Sequence, residues 1–109
     1  MKYESMLQQM ICEYMSLKGI FYFSIPNEHY NISYAQRTTL KKMGLVSGIP
    51  DLAILANDTV YFMELKSTSG KLNKHQKIVI PALRKRGYNV AIIRSLDQAI
   101  EQLNAWGIK

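Results

Sequence analysis

The run DLAILANDTVYFMELK, residues Asp51 to Lys66, decides the architecture of this chain. Two largely apolar stretches, 51–56 and 60–67, flank Asn57-Asp58, a pair that favours a tight turn. The run therefore reads as a β-hairpin. With a two-residue turn Ala56 pairs with Thr59, and that register carried outward sets Asp51 opposite Glu64. Lys66 follows Glu64 by two residues and so shares its face. Two carboxylates and one ammonium group are thereby expected at one end of the hairpin. A slip of one residue would separate them, so the expectation rests on the turn.

The flanking sequence supplies the other elements. Residues 2–18 read as a helix, with Leu7, Met10, Ile11, Tyr14 and Leu17 as its apolar stripe and Gly19 at its end. Glu4 precedes Leu7 by three residues and Ile11 by seven, which puts it on the inward side. Residues 20–25 read as a strand ended by Pro26-Asn27. Residues 27–48, carrying Arg37, Lys41 and Lys42, read as a long loop. Asn73 with Gln76 forms an N-terminal capping pair for a helix reaching Arg86, and Pro81 predicts a kink or an interruption in it. Residues 88–94 form a further strand, parallel to 60–67 because a helix joins them. Ser95 with Gln98 caps a last helix to about Ala105. The predicted order is α-β-β-β-α-β-α, an α/β fold with a mixed sheet flanked by helices.

Bulk properties narrow the function. A chain of 109 residues suggests one domain, 1–109. Hydrophobic residues make up 48% and charged residues 20%, a globular balance that argues against disorder. Cys12, the single cysteine, forms no intrachain disulfide and reads as a structural thiol on an apolar helix. The opening residues lack a signal-peptide pattern, and no apolar run spans a bilayer. An intracellular, soluble protein is expected, in cytoplasm or nucleoid, or in a host cell if viral. The net charge of +6 suits a polyanionic partner. From Lys66 to Arg86 there are seven Lys or Arg and no Asp or Glu. Lys71, Lys74 and Lys77 are candidate phosphate contacts, and Arg84, Lys85 and Arg86 form either further contacts or a solvated helix end. His29 and His75 match no metal-ligand spacing. Tyr22, Phe23 and Tyr34 read as core or interface rather than base-stacking groups.

Two adjacent carboxylates repel unless a cation compensates or one is protonated. A hard divalent ion, Mg²⁺ or Mn²⁺, takes one or two carboxylates together with water and phosphate oxygens. Glu4 offers a third carboxylate. Such an ion polarises a phosphoryl oxygen and acidifies water, while Lys66 orients or deprotonates that water or stabilises developing charge. The competing reading is an exposed strand with surface ion pairs.

Gly48-Ile49-Pro50-Asp51, followed by Glu64-Leu65-Lys66, resembles the PD-(D/E)-x-K nuclease signature. More narrowly, the chain resembles the virus-type replication-repair nuclease (VRR-NUC) family from Glu4 to about Leu103. Pro26-Asn27, Gly44, Gly70-Lys71-Leu72, Gln76, Gly87-Tyr88-Asn89-Val90 and Ser95-Leu96-Asp97-Gln98-Ala99 fall in the matching order. Asn73 departs slightly, where Ser or Thr is more usual. The resemblance implies a restriction-endonuclease-like fold and places Asp51, Glu64 and the Leu65 carbonyl on the metal. It makes Lys66 the catalytic lysine, has Glu4 help bind the metal or its water, and puts Gln76 at the edge of the site, orienting Lys66, water or phosphate; capping is that residue's compatible second role.

The expected activity is metal-dependent endonucleolytic hydrolysis of DNA, structure-selective for branched DNA such as Holliday junctions. The resemblance also implies a homodimer, for which Ile20, Phe21, Tyr22, Phe23, Ile25, Tyr30, Ile32 and Tyr34 offer an interface. Alternatives are a nuclease on flaps, nicked duplex or RNA, a non-catalytic nucleic-acid-binding module of the same fold, and a basic protein-interaction domain. The clustered acids argue against the last two.

Overall fold

Asn57 and Asp58 take φ angles of 51° and 59°, both in the left-handed region. Such a pair makes the tight two-residue turn whose twist matches flanking antiparallel strands. In the computed structural model, which describes residues 2–26 and 33–109, this turn joins β2 (Leu52–Ala56) to β3 (Thr59–Leu65). The register runs from Ala56↔Thr59 to Leu52↔Met63, as the sequence predicts. Ahead of the hairpin come α1 (Lys2–Leu17), β1 (Phe21–Ser24) and α2 (Tyr34–Lys42); after it come α3 (Gln76–Lys85), β4 (Asn89–Ile93) and α4 (Leu96–Ala105). The strands form one sheet in the order β1-β2-β3-β4, with β4 parallel to β3 and the other pairs antiparallel.

Alternation along the strands splits the buried residues between two faces. On one face Leu52, Ile54, Tyr61, Met63, Leu65, Ala91 and Ile93 meet Leu7, Ile11 and Met15 of α1 and Ala99 and Leu103 of α4. This is the main core, and each of its large side chains contributes roughly 1.5–3 kcal/mol relative to exposure. The opposite parity, Asp51, Ala53, Phe62, Glu64 and Val90, belongs to the other face. There α3 packs beside β4 and buries Ile80. The chemistry-bearing residues of the hairpin therefore lie on the thinner side of the sheet.

Three expectations need correction. The segment 27–48 is not all loop, because α2 occupies Tyr34–Lys42, capped reciprocally by Ser33 and Gln36. The element order is accordingly α-β-α-β-β-α-β-α. No residue of α2 is buried, so it lacks the apolar periodicity by which helices are read. On α1 the buried line is Leu7–Ile11–Met15, while Met10 and Leu17 are exposed. Glu4 stays one turn ahead of that line. Finally, α3 runs through Pro81 without interruption. Asn27, His29, Tyr30 and Ile32 lie outside the described residues. Among the described residues, no helix is long and apolar enough to cross a membrane.

Candidate active site

The open end of the hairpin, where β2 begins and β3 ends, carries the site. Regular pairing stops at Leu52↔Met63, and the next residue outward on β2 is Asp51. Its side chain takes over the ladder, with Oδ2 accepting from the Leu65 N–H at 2.8 Å. Its backbone carbonyl accepts from Ile25 N at 2.8 Å, which fixes the residue from the other side. Leu65 thus turns its N–H toward Asp51, and its carbonyl lies on the same edge of the strand. Lys66 N is held from the opposite side, by the Ile93 carbonyl at 3.0 Å.

Glu64 is 2% exposed. Its Oε2 accepts from Gln76 Nε2 at 2.8 Å, and Lys66 Nζ lies 3.8 Å from the same oxygen. Its Oε1 is buried with no hydrogen-bond partner among the described residues. Burial pushes the Glu64 carboxyl up to about 8; the neighbouring Asp51 carboxylate adds to the shift, Lys66 opposes it, and Glu4 raises it further. Asp51, Lys66 and Glu4 therefore all act on Glu64.

Gln76 caps α3 and contacts Glu64 rather than Lys66. Its N–H donates to Asn73 Oδ1 at 2.9 Å, and its Oε1 accepts from Asn73 N at 3.0 Å, a reciprocal cap at the start of α3. The same side chain presents Nε2 to Glu64. The cap fixes the amide orientation, so a donor faces the carboxylate. The loop bearing Asp51 docks onto this helix start. Gly48 has φ +89°, and a Cβ there would lie 2.6 Å from the His75 carbonyl carbon and 2.8 Å from Gln76 N. Only glycine allows that approach. Pro50, fully buried, follows it. The sequence gives no reason for a glycine at 48 beyond the resemblance, because the contact spans elements far apart in the chain.

The basic residues divide into two groups. Lys71, Lys74 and Lys77 are exposed on the loop after β3 and the first turn of α3. Arg84, by contrast, gives Nε and Nη2 to the Val90 carbonyl at 3.2 and 2.7 Å, and Arg86 donates to Ala82 O at 2.9 Å. Arg84 thus caps a carbonyl of β4, and Arg86 one in the last turn of α3. His75 is exposed, and Cys12 is half-buried, its thiol pushed up by burial. Tyr22 bonds Ser16 through its hydroxyl at 2.7 Å, whereas Phe23 and Tyr34 are exposed.

A divalent cation fits this donor set. The orphaned Glu64 oxygen, the adjacent Asp51 carboxylate and the Leu65 carbonyl edge supply hard oxygen atoms on one side. Among the described residues, no three acidic, His or Cys side chains gather to hold an ion unaided. Two carboxylates completed by carbonyl, water and phosphate oxygens is the pattern Mg²⁺ ordinarily takes.

The VRR-NUC domain model matches residues 5–97. One solved structure described as a VRR-NUC domain is 25% identical over 94% of this chain and 95% of its own length, with a TM-score of 0.67. A second, a VRR-NUC domain protein, shares the fold with a TM-score of 0.76 at 20% identity, over 95% of this chain and 87% of that one. No curated protein matches the sequence. With its hairpin carboxylates, Glu-x-Lys strand and mixed sheet, this chain belongs to the VRR-NUC domain family, nucleases of the PD-(D/E)-x-K type.

Proposed function

We propose that residues 1–109 act as one metal-dependent endonuclease domain that hydrolyses DNA phosphodiester bonds, with branched DNA such as a Holliday junction as preferred substrate. The observation that carries this reading is the buried, unpartnered Oε1 of Glu64 between Asp51 and Lys66. An unmatched acceptor in a buried place costs about 1–3 kcal/mol, so its persistence favours a ligand that satisfies it.

In this reading Asp51, Glu64 and the Leu65 carbonyl hold Mg²⁺ or Mn²⁺, with Glu4 placing a water beside it. The chemistry that cation supplies is polarisation of the phosphoryl oxygen and a lower pKa for neighbouring water. Lys66 orients the attacking water or stabilises the charge that develops on phosphorus oxygens as the bond to the leaving oxygen breaks. Gln76 keeps Glu64 aimed. Lys71, Lys74 and Lys77 receive the DNA backbone, and their exposure beside the site suits that role.

A homodimer presents two such sites to two strands. Support comes from the β1 edge of the sheet, where Phe21 and Phe23 are 67% and 47% exposed. Large exposed aromatics in a row are uncommon on a monomer's surface.

The test is cleavage of labelled four-way junction, flap, nicked and linear duplex, and single-stranded DNA and RNA, with Mg²⁺, Mn²⁺ or EDTA. Metal-dependent cutting is expected, most rapid on the junction. Asp51→Ala and Lys66→Ala should each lower the rate by about 10³-fold or more while DNA binding survives. Cleavage by Asp51→Ala at the wild-type rate refutes the site. Tight binding without cutting under any metal supports the binding-module alternative instead.

A further inference from the structure

Arg94 follows the last residue of β4 and lies outside the hairpin site, yet it binds the segment that carries Lys66. Its Nη1 donates to the Ser67 carbonyl at 2.6 Å and to the Gly70 carbonyl at 2.7 Å. Those carbonyls begin and end a tight turn closed by Gly70 N to Ser67 O at 3.2 Å. The turn starts at the residue after Lys66. It also lies beside the lysine side chain: a Cβ added at Gly70 would stand 3.7 Å from Lys66 Cδ. The Lys66 backbone is meanwhile tied to Ile93, the residue before Arg94. Two successive residues of one strand end thus hold the Lys66 backbone and the turn that follows it.

Arg94 is itself well anchored. Its backbone N–H donates to Gln98 Oε1 at 2.7 Å, and its carbonyl accepts from the Tyr3 hydroxyl. The guanidinium is half-buried, and among the described residues no carboxylate forms an ion pair with it. Its charge is directed at two carbonyl dipoles. A charged donor bonded to a carbonyl is stronger than a neutral one, and one nitrogen clamping both ends of a turn restricts the turn's width.

We infer that Arg94 is a positioning residue for Lys66: its guanidinium fixes the Ser67–Gly70 turn, which walls the lysine stem and aims its ammonium at Glu64. This rests on Lys66 having the catalytic role proposed above. A displacement of about 1 Å in a catalytic group can cost about 10²-fold in rate.

The test uses the full chain, wild type beside Arg94→Met and Arg94→Lys. Single-turnover cleavage is measured with Mg²⁺, DNA affinity with Ca²⁺, and the Lys66 side-chain signal by NMR on lysine-labelled protein. Arg94→Met should cleave about 10²-fold more slowly, with DNA affinity changed by less than about threefold because no phosphate contact is lost. Arg94→Lys keeps one charged donor and should recover about tenfold of the loss. The Lys66 signal should move in Arg94→Met and return toward its wild-type position in Arg94→Lys. Wild-type cleavage by Arg94→Met, or a loss of DNA affinity matching the loss of rate, overturns the inference. If Arg94→Met does not fold, Arg94→Lys decides: a Lys66 signal and a cleavage rate both indistinguishable from wild type overturn it. If the wild-type protein cuts nothing, the nuclease reading fails separately, and an unmoved Lys66 signal in Arg94→Met then overturns the positioning role on its own.

Discussion

Replacing Glu64 with glutamine should stabilise the metal-free protein relative to wild type, increasingly so as pH rises. Burial, the Asp51 carboxylate and Glu4 raise the Glu64 carboxyl from 4.5 to about 8 in the folded chain, against the pull of Lys66. Below pH 4.5 the folded and unfolded chains both hold this proton. Between pH 4.5 and about 8 only the folded chain holds it, and deprotonation of the unfolded chain draws the equilibrium toward unfolding. The stability this group contributes is thus full below the unfolded value and lost through that window, at about 1.4 kcal/mol per pH unit. From pH 5.5 to 7.5 the wild type should lose about 2–3 kcal/mol more than Glu64→Gln. The glutamine carbonyl can still accept from Gln76 Nε2, so the substitution keeps that bond. Urea unfolding in EDTA at three pH values reads the gap. Excess Mg²⁺ should then stabilise the wild type and leave Glu64→Gln nearly unchanged, since a ligand stabilises only the state that binds it. A gap between the two proteins that stays constant to within about 0.5 kcal/mol over this range refutes the account of Glu64.

Two further outcomes test other parts of the structure. Gly48→Ala meets both a φ of +89° and the His75–Gln76 backbone, whereas Gly87→Ala meets a φ of +92° and open space. Gly87→Ala should cost about 1–2 kcal/mol of strain, while Gly48→Ala should cost about 2–4 kcal/mol and cut cleavage sharply by displacing Gln76. Equal unfolding midpoints for the two variants would remove the docking argument. Phe21→Glu with Phe23→Glu should convert a dimer to a monomer in light scattering after size exclusion, with the far-ultraviolet circular dichroism unchanged. A dimer that survives both changes rules out the β1 edge as its interface.

The hairpin was legible because turn chemistry, strand period and register all depend on near neighbours. Asn57-Asp58 set the turn, the turn set the pairing, and the pairing brought Asp51 to Glu64 and Lys66 to the same face. Gln76 was legible for the same reason, through its cap with Asn73. Glu4 needed only the helical period. What escaped was tertiary. Gly48 approaches α3 across a long stretch of chain, and Arg94 reaches back to a turn more than twenty residues earlier. Nothing in their local sequence announces either contact. The helix α2 is a different case: Ser33-x-x-Gln36 is the same capping pattern found at Asn73 and Ser95, but the helix buries nothing, so no apolar stripe drew attention to it.

The outer side of β4 has a consequence for assembly. The Ile93 carbonyl faces β3, so the backbone N–H and C=O groups of Val90, Ile92 and Arg94 point away from that strand. Arg84 occupies the Val90 carbonyl, Gln98 the Arg94 N–H, and Tyr3 the Arg94 carbonyl. One margin of the sheet is thereby closed to strand addition near both ends. Two copies joined along β1 would make an eight-stranded sheet with a closed margin on each side. Growth would stop there, and the edge that favours pairing could not seed a fibre.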